Sequence, residues 1–217
     1  MGLEYTVYLI SNKPHLYDEI QATMTPEKLH FFDGTGTASF SKLVNDCTVH
    51  CPTEVVIMMS DKVRPKAEHI KKMISLLEKG HGFVAMYRLG FFAYKKELFR
   101  QIGMMDERYI GGGYEDDDIY IRLKEANISM YISHEVEYLK SRSSWKYSLS
   151  KPHYLEKWGG DVKLTREATR ILPEEQYNYN LGDSIPAKFL SFTSSEIYVR
   201  KLQKYLAFKF IEEKNEL

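Results

Sequence analysis

Two cysteines in 217 residues, Cys47 and Cys51, are too few for a disulfide framework. They stand as a lone C-x-x-x-C with no second ligand pair nearby, which argues against a zinc site and for reduced thiols in a cytoplasmic chain. No apolar run approaches the roughly 18 residues of a membrane span, and MGLEYTVYLISNK lacks the layout of a signal peptide. Net charge is missing too. Lys+Arg and Asp+Glu both number 30, whereas a generic nucleic-acid binder carries a basic surplus. No G-x-G-x-x-G follows the first apolar run, and there is no P-loop and no G-x-S-x-G. Gly and Pro are modest at 13 and 7, and no internal repeat occurs, so collagen-like and low-complexity chains are excluded.

What is present is an ordinary globular composition, with 43% hydrophobic and 28% charged residues. Short β-rich runs at 5–10, 29–33 and 54–59 alternate with helical patterns near 15–24, 39–50 and 66–79. EVVIMM is continuously apolar, as a central strand covered on both faces requires. This β-α-β-α-β-α order predicts a doubly wound, parallel sheet with right-handed crossovers. Ligands of such sheets sit outside the C-terminal strand ends. Ser11, Asn12, Asp33, Ser60, Asp61 and Lys62 stand there. The second half predicts strands at 82–87 and 90–94, a helix at 95–102, a helix after the acidic loop, and strands at 128–132 and 136–139. A last helix is predicted at 194–213.

The densest chemical signal is Gly111-Gly112-Gly113-Tyr114-Glu115-Asp116-Asp117-Asp118. Glycines permit close backbone approach to a ligand, and a carboxylate can take a hydroxyl proton at hydrogen-bond distance. Acids in a first turn also complement the helix dipole, and a solvated helix start would offset their mutual repulsion. The octet therefore reads either as an acidic helix start or as a substrate clamp with a general base. The Asp/Asn alternation and terminal Glu of an EF-hand are absent. Asp61 after the most apolar strand, and Asp33 before Gly34, fit a crevice acid or a simple turn equally well.

Read together, FFDGTG-x3-FSKLVND, EVVIMMSDKVRP, LGFFAYKKELFRQIGMMDERYIGGGYEDDDIYIRL and KWGG resemble, in that order, glycosyltransferases of the GT-A fold. The likeness is to inverting family 2 enzymes and the β-1,4-galactosyltransferase group, over roughly residues 4–160. It implies an α/β fold with a mixed, mostly parallel sheet flanked by helices. It also implies one catalytic domain over 1–160, with a nucleotide-sugar half at 1–90 and an acceptor half at 91–160. Residues 161–217 would be an extension. The implied activity moves a sugar from a nucleotide-diphosphate sugar to a hydroxyl of a glycan, lipid-linked or protein acceptor, with inversion. In that frame Asp116 is the base, assisted by Glu115. Gly112, Gly113, Tyr114 and Asp117 bind the acceptor or order the loop. Asp33 reads the nucleotide base, Ser11 and Asn12 lie under the nucleotide, and Lys42 lies near ribose or phosphate.

The chain departs from the family's acidic motif. With Pro65 fixing the register, Ser60 and Asp61 take its first positions and Lys62 falls where the metal-binding acid belongs. Glu137, Tyr138 and Leu139 stand where a histidine is expected. Two readings follow: the Lys62 ammonium neutralises the diphosphate, or the loop shifts and Asp61 binds Mg²⁺ or Mn²⁺. A domain that kept the crevice and lost turnover is the competing reading; a nucleotidyltransferase would need a Gly-rich loop after the first strand. Trp145 and Trp158 suit sugar stacking or a core, and His153 a phosphate contact or the surface. SSEIYVRKLQKYLAFKF suits a membrane surface, a sheet edge or a homodimer contact.

Overall fold

In the computed structural model, residues 2–24, 27–34, 39–107, 109, 113–139, 150 and 154 are described. Gly111, Gly112, Trp145, His153, Trp158 and the helix expected at 194–213 lie outside them. The chain divides into two compact units: 1–37, 43–98 and 127–143 form the first, and 38–42, 99–126 and 144–217 the second.

The first unit is built on a six-stranded sheet. Its strands are β1 (Tyr5–Ser11), β2 (Leu29–Asp33), β3 (Val55–Ser60), β5 (Phe83–Tyr87), β6 (Phe91–Lys95) and β7 (Met130–Ile132). Their order is β2-β1-β3-β6-β5-β7. The pairs β1–β2, β1–β3 and β5–β7 are parallel, and β6 runs antiparallel to both its neighbours. The sheet is thus the mixed, mostly parallel one expected. Successive strands β2 and β3 lie on opposite sides of β1, so the strand order reverses there. In open α/β sheets, ligands bind outside the carboxyl ends of the strands at such a reversal.

The apolar run of β3 is buried from Val55 to Met59, as its composition demands. Val55, Ile57 and Met59 pack in one core with Val7, Leu9, Ile20, Leu29, Val84, Phe91 and Ala93. Helix α1 (Tyr17–Met24) contributes Ile20 and Met24 to that core. Helix α3 (Ala67–Glu78) adds Ile70, Met73 and Leu77, an apolar stripe at helical spacing. Full burial of each stabilises by about 1.5–3 kcal/mol. The helix stops at a Schellman turn: Gly80 at φ 100 donates to the Leu77 carbonyl and His81 donates to that of Leu76.

A small second sheet, β4 (Val63–Arg64) with β8 (Glu137–Tyr138), was not legible in the sequence as a pair. Val63 stands opposite Tyr138, and Leu139 N–H donates to the Lys62 carbonyl at 2.8 Å. Val63 and Arg64 therefore form a braced ledge beside the end of β3. Cys47 and Cys51 are buried free thiols, and burial pushes that of Cys47 far up from its ordinary range.

The described part of the second unit centres on α5 (Glu115–Glu125), preceded by Phe99–Ile102 from the end of α4 (Glu97–Ile102). Residues 39–42, including the first turn of α2 (Phe40–His50), also belong to it. Ser39 Oγ accepts from Lys42 N–H at 3.3 Å, an N-cap.

Candidate functional site

At the carboxyl ends of β1, β2 and β3 the predicted residues come together. Ser11 pairs in register with Asp33, and Ile10 with Ser60. Ser11 Oγ donates to Asp61 Oδ2 at 3.0 Å and accepts from Lys13 N–H at 2.9 Å. The Lys13 ammonium lies 3.1 Å from the same Asp61 oxygen. Asp61 is 9% exposed, whereas the Lys13 side chain is 50% exposed. Gly34 N–H donates to the Ser11 carbonyl at 2.9 Å, so β2 closes tightly on β1 here. Asn12, Asp33 and Lys62 are exposed, and Ser60 is half-buried. Lys13 was missed in the sequence, where it reads as one residue of a turn cluster.

Arg64 fixes this corner from beside it. Its Nη1 donates to the carbonyls of Asp61 at 2.8 Å and Val63 at 3.0 Å, while Nη2 pairs with Glu19 at 2.9 Å. The backbone on either side of Lys62 is thereby held.

These residues do not fit a divalent cation. Asp61 Oδ2 already takes a hydroxyl and an ammonium, and Lys62 offers no lone pair. Glu137 sits opposite Arg64 in the β4–β8 ladder. Among the described residues, no group of three or more His, Cys, Asp or Glu could hold a metal ion.

The second unit carries the acidic helix start. Gly113 at φ 120 and Tyr114 at φ 71 turn the chain into α5 through the left-handed region, which only glycine enters without strain. Tyr114 stacks on Tyr154 with ring centroids 4.9 Å apart. Glu115 Oε2 accepts from Gly113 N–H, and Asp116 Oδ1 accepts from Asp117 N–H at 3.1 Å. Burial first, and the adjacent Asp116 carboxylate next, push the Glu115 carboxyl up to about 7. Glu115 and Asp116 remain half-buried.

Water does not relieve all four acids, contrary to the expectation of a solvated helix start. Asp117 and Asp118 are buried, at 2% and 0% exposure. Asp118 Oδ2 takes Arg122 Nη2 at 2.8 Å and Nε at 3.1 Å, and its Oδ1 accepts from Tyr109 OH at 3.4 Å. Arg122 Nη1 also donates to the carbonyls of Ile102, Gly103 and Met104, at 2.9, 3.0 and 2.9 Å. Asp118 is thus a structural acid. Its i, i+4 spacing to Arg122 was the available signal, but such pairs usually mark a helix surface. Lys42 is an exposed residue in the first turn of α2, within this unit.

Residues 81–142 match the family described as the N-terminal domain of galactosyltransferase. Among solved structures, GalNAc-T7 with UDP, GalNAc and Mn²⁺ aligns at 9% identity and TM-score 0.56, over 93% of this chain and 59% of that one. Glucosyl-3-phosphoglycerate synthase from Mycobacterium tuberculosis, with Mn²⁺, UDP and glucosyl-3-phosphoglycerate, aligns at 12% identity and TM-score 0.52, over 76% of this chain and 79% of that one. The mannosyltransferase PcManGT from Pyrobaculum calidifontis, with GDP-Man and Mn²⁺, aligns at 10% identity and TM-score 0.50, over 98% and 74%. No curated protein sequence matches the chain. At these identities the structural likenesses speak for the fold. With the sheet order above, they show that this chain has the GT-A fold of these glycosyltransferases, and the segment similar to the galactosyltransferase domain runs across the acidic helix.

Proposed function

We propose that this glycosyltransferase moves a sugar from a nucleotide-diphosphate donor to an acceptor hydroxyl with inversion, using Asp116 as general base. The observation that carries the reading is the state of the acids that open α5, inside the family-matched segment. Asp118 is neutralised by Arg122 and Asp117 is buried, whereas Glu115 and Asp116 stay half-buried; Asp116 is taken as the base by its place in that segment, with Glu115, its carboxyl up at about 7, beside it. The acceptor oxygen bonds to the anomeric carbon as the bond from that carbon to the diphosphate oxygen breaks. The hydroxyl proton passes to Asp116 and the electron pair leaves with the nucleoside diphosphate. Glu115, still protonated below about pH 7, keeps a second negative charge away from Asp116.

Ser11, Asn12, Asp33, Ser60, Asp61 and Lys62 face the donor, with Asp33 toward the base, and Lys42 assists at ribose or phosphate. Gly112, Gly113 and Tyr114 contact the acceptor, a glycan, lipid-linked sugar or protein. Asp117, being buried, orders the loop. No helix among the described residues is long and apolar enough to cross a membrane. Two buried free thiols suit a reducing compartment, which supports a cytoplasmic reaction.

The relatives whose structures contain Mn²⁺ raise the question of a metal, and here the donor set at Asp61 argues against one. That same feature favours a second reading, a domain that binds nucleotide or glycan without turnover. Single-turnover assays over a panel of nucleotide sugars separate the two. Transfer is expected from the parent chain, with a loss of about 10²–10⁴-fold in Asp116→Asn and unchanged donor affinity. Transfer at the parent rate in that variant overturns the base assignment, and no transfer by the parent chain favours the binder.

A further inference from the structure

We infer that Lys13 and Lys62 form a metal-independent site for the donor's diphosphate, with Asp61 as the residue that positions Lys13. The inference rests on the nucleotide-sugar reading above and concerns how the same site meets the donor's charge.

Three observations converge. The Asp61 carboxylate is buried and already bonded by Ser11 Oγ and the Lys13 ammonium. A cation arriving at that oxygen would meet a positive charge 3.1 Å from it. Lys13, by contrast, is half-exposed, so an ammonium with three donors and one carboxylate partner keeps N–H groups for a second anion. Its backbone is held on both sides, by Ser11 Oγ at its N–H and by Leu16 N–H at its carbonyl, 3.1 Å away. The tether to Asp61 then holds the side chain at the mouth of the β1–β3 crevice. Lys62 is exposed, has no ion-pair partner among the described residues, and follows Asp61 directly on the ledge braced by Arg64 and Leu139. One lysine is therefore bound to the buried carboxylate and a second, exposed, follows that carboxylate in the chain at the topological switch point, where ligands of such sheets bind. A diphosphate brings the charge that both ammonium groups can take.

This arrangement reverses the usual part of such an acid. Asp61 does not hold a metal against phosphate; it holds a lysine there. Removing its charge frees Lys13 rather than destroying the site.

The test is isothermal titration of UDP and GDP into the full chain, in EDTA and in excess Mn²⁺. At least one of them is expected to bind equally in both. Lys13→Ala and Lys62→Ala each weaken binding about tenfold, Lys13→Arg keeps it, and Asp61→Asn, which unties Lys13 but leaves its charge, weakens it less than Lys13→Ala in EDTA and Mn²⁺ alike. Melting temperatures and the arginine variant separate loss of charge from loss of fold. Binding that needs Mn²⁺ and disappears in Asp61→Asn overturns this inference and leaves the transferase reading standing. Binding of neither nucleotide under either condition overturns both.

Discussion

Asp61 and Asp118 are buried carboxylates, each held by one cation and one hydroxyl: Lys13 and Ser11 for the first, Arg122 and Tyr109 for the second. Their cations differ. The Lys13 side chain is 50% exposed and has a single carboxylate contact. Arg122 is 2% exposed and donates to three backbone carbonyls besides its carboxylate. A planar guanidinium with five donors can satisfy a buried acid and a helix end together, whereas an ammonium on a flexible stem can turn toward a new anion. Similar carboxylates thus hold a half-exposed cation in one unit and a buried one, as a structural lock, in the other.

Arg122→Ala breaks the locked half and carries the largest stability effect. It strands Asp118 without its cation and costs about 3–5 kcal/mol, read as a lower urea midpoint. A loss under about 1 kcal/mol, the range of exposed pairs, would show that Asp118 is not locked.

Glu115→Gln sharpens the contrast within the acidic helix start. In the folded chain Glu115 keeps its proton up to about 7, against 4.5 ordinarily. The folded state therefore holds more protons in that window, and stability falls as pH rises from about 4.5 to about 7. Melting temperatures of Glu115→Gln across that window are expected to lack this decline. The inflection of the parent's transfer rate near pH 7 is expected to vanish with it.

A third carboxylate, Glu135, supplies the exposed counterpart and the smallest effect. Burial opposes its charge, but hydrogen bonds from Lys72 at 2.6 Å and Tyr131 at 2.5 Å hold its carboxyl down at about 2. That contribution is present above pH 4.5 and is lost as pH falls toward 2. Lys72 is 46% exposed, so Glu135→Gln is expected to cost at most about 1 kcal/mol at neutral pH, by chemical denaturation.

Much of the first unit could be read from patterning. Val55–Met59 is apolar without interruption, and Ile70, Met73 and Leu77 recur at helical spacing, so β3 and α3 stand near where they were expected. The two-residue strands β4 and β8 carry no periodicity and exist through each other, across a long stretch of chain. Ser11, Asp33 and Asp61 were legible as strand-end residues because topology alone gathers them. The role of Lys13 was not, since its partner is brought near by the packing of β1 beside β3 and not by local order. The division of labour among Glu115, Asp116, Asp117 and Asp118 was equally hidden. It depends on burial and on an arginine that sequence alone would leave on the surface.

Gly90 gives the donor corner an unsuspected point of control. Its carbonyl accepts from Ser60 N–H at 2.9 Å, and a methyl group added to it would lie 3.1 Å from the Tyr87 carbonyl oxygen and 3.3 Å from Val63 Cγ1. Growing this uncharged hairpin residue by one carbon would press on Tyr87 and on Val63 of the ledge that follows Lys62, so the proposed diphosphate site can be probed mechanically with every charge left in place.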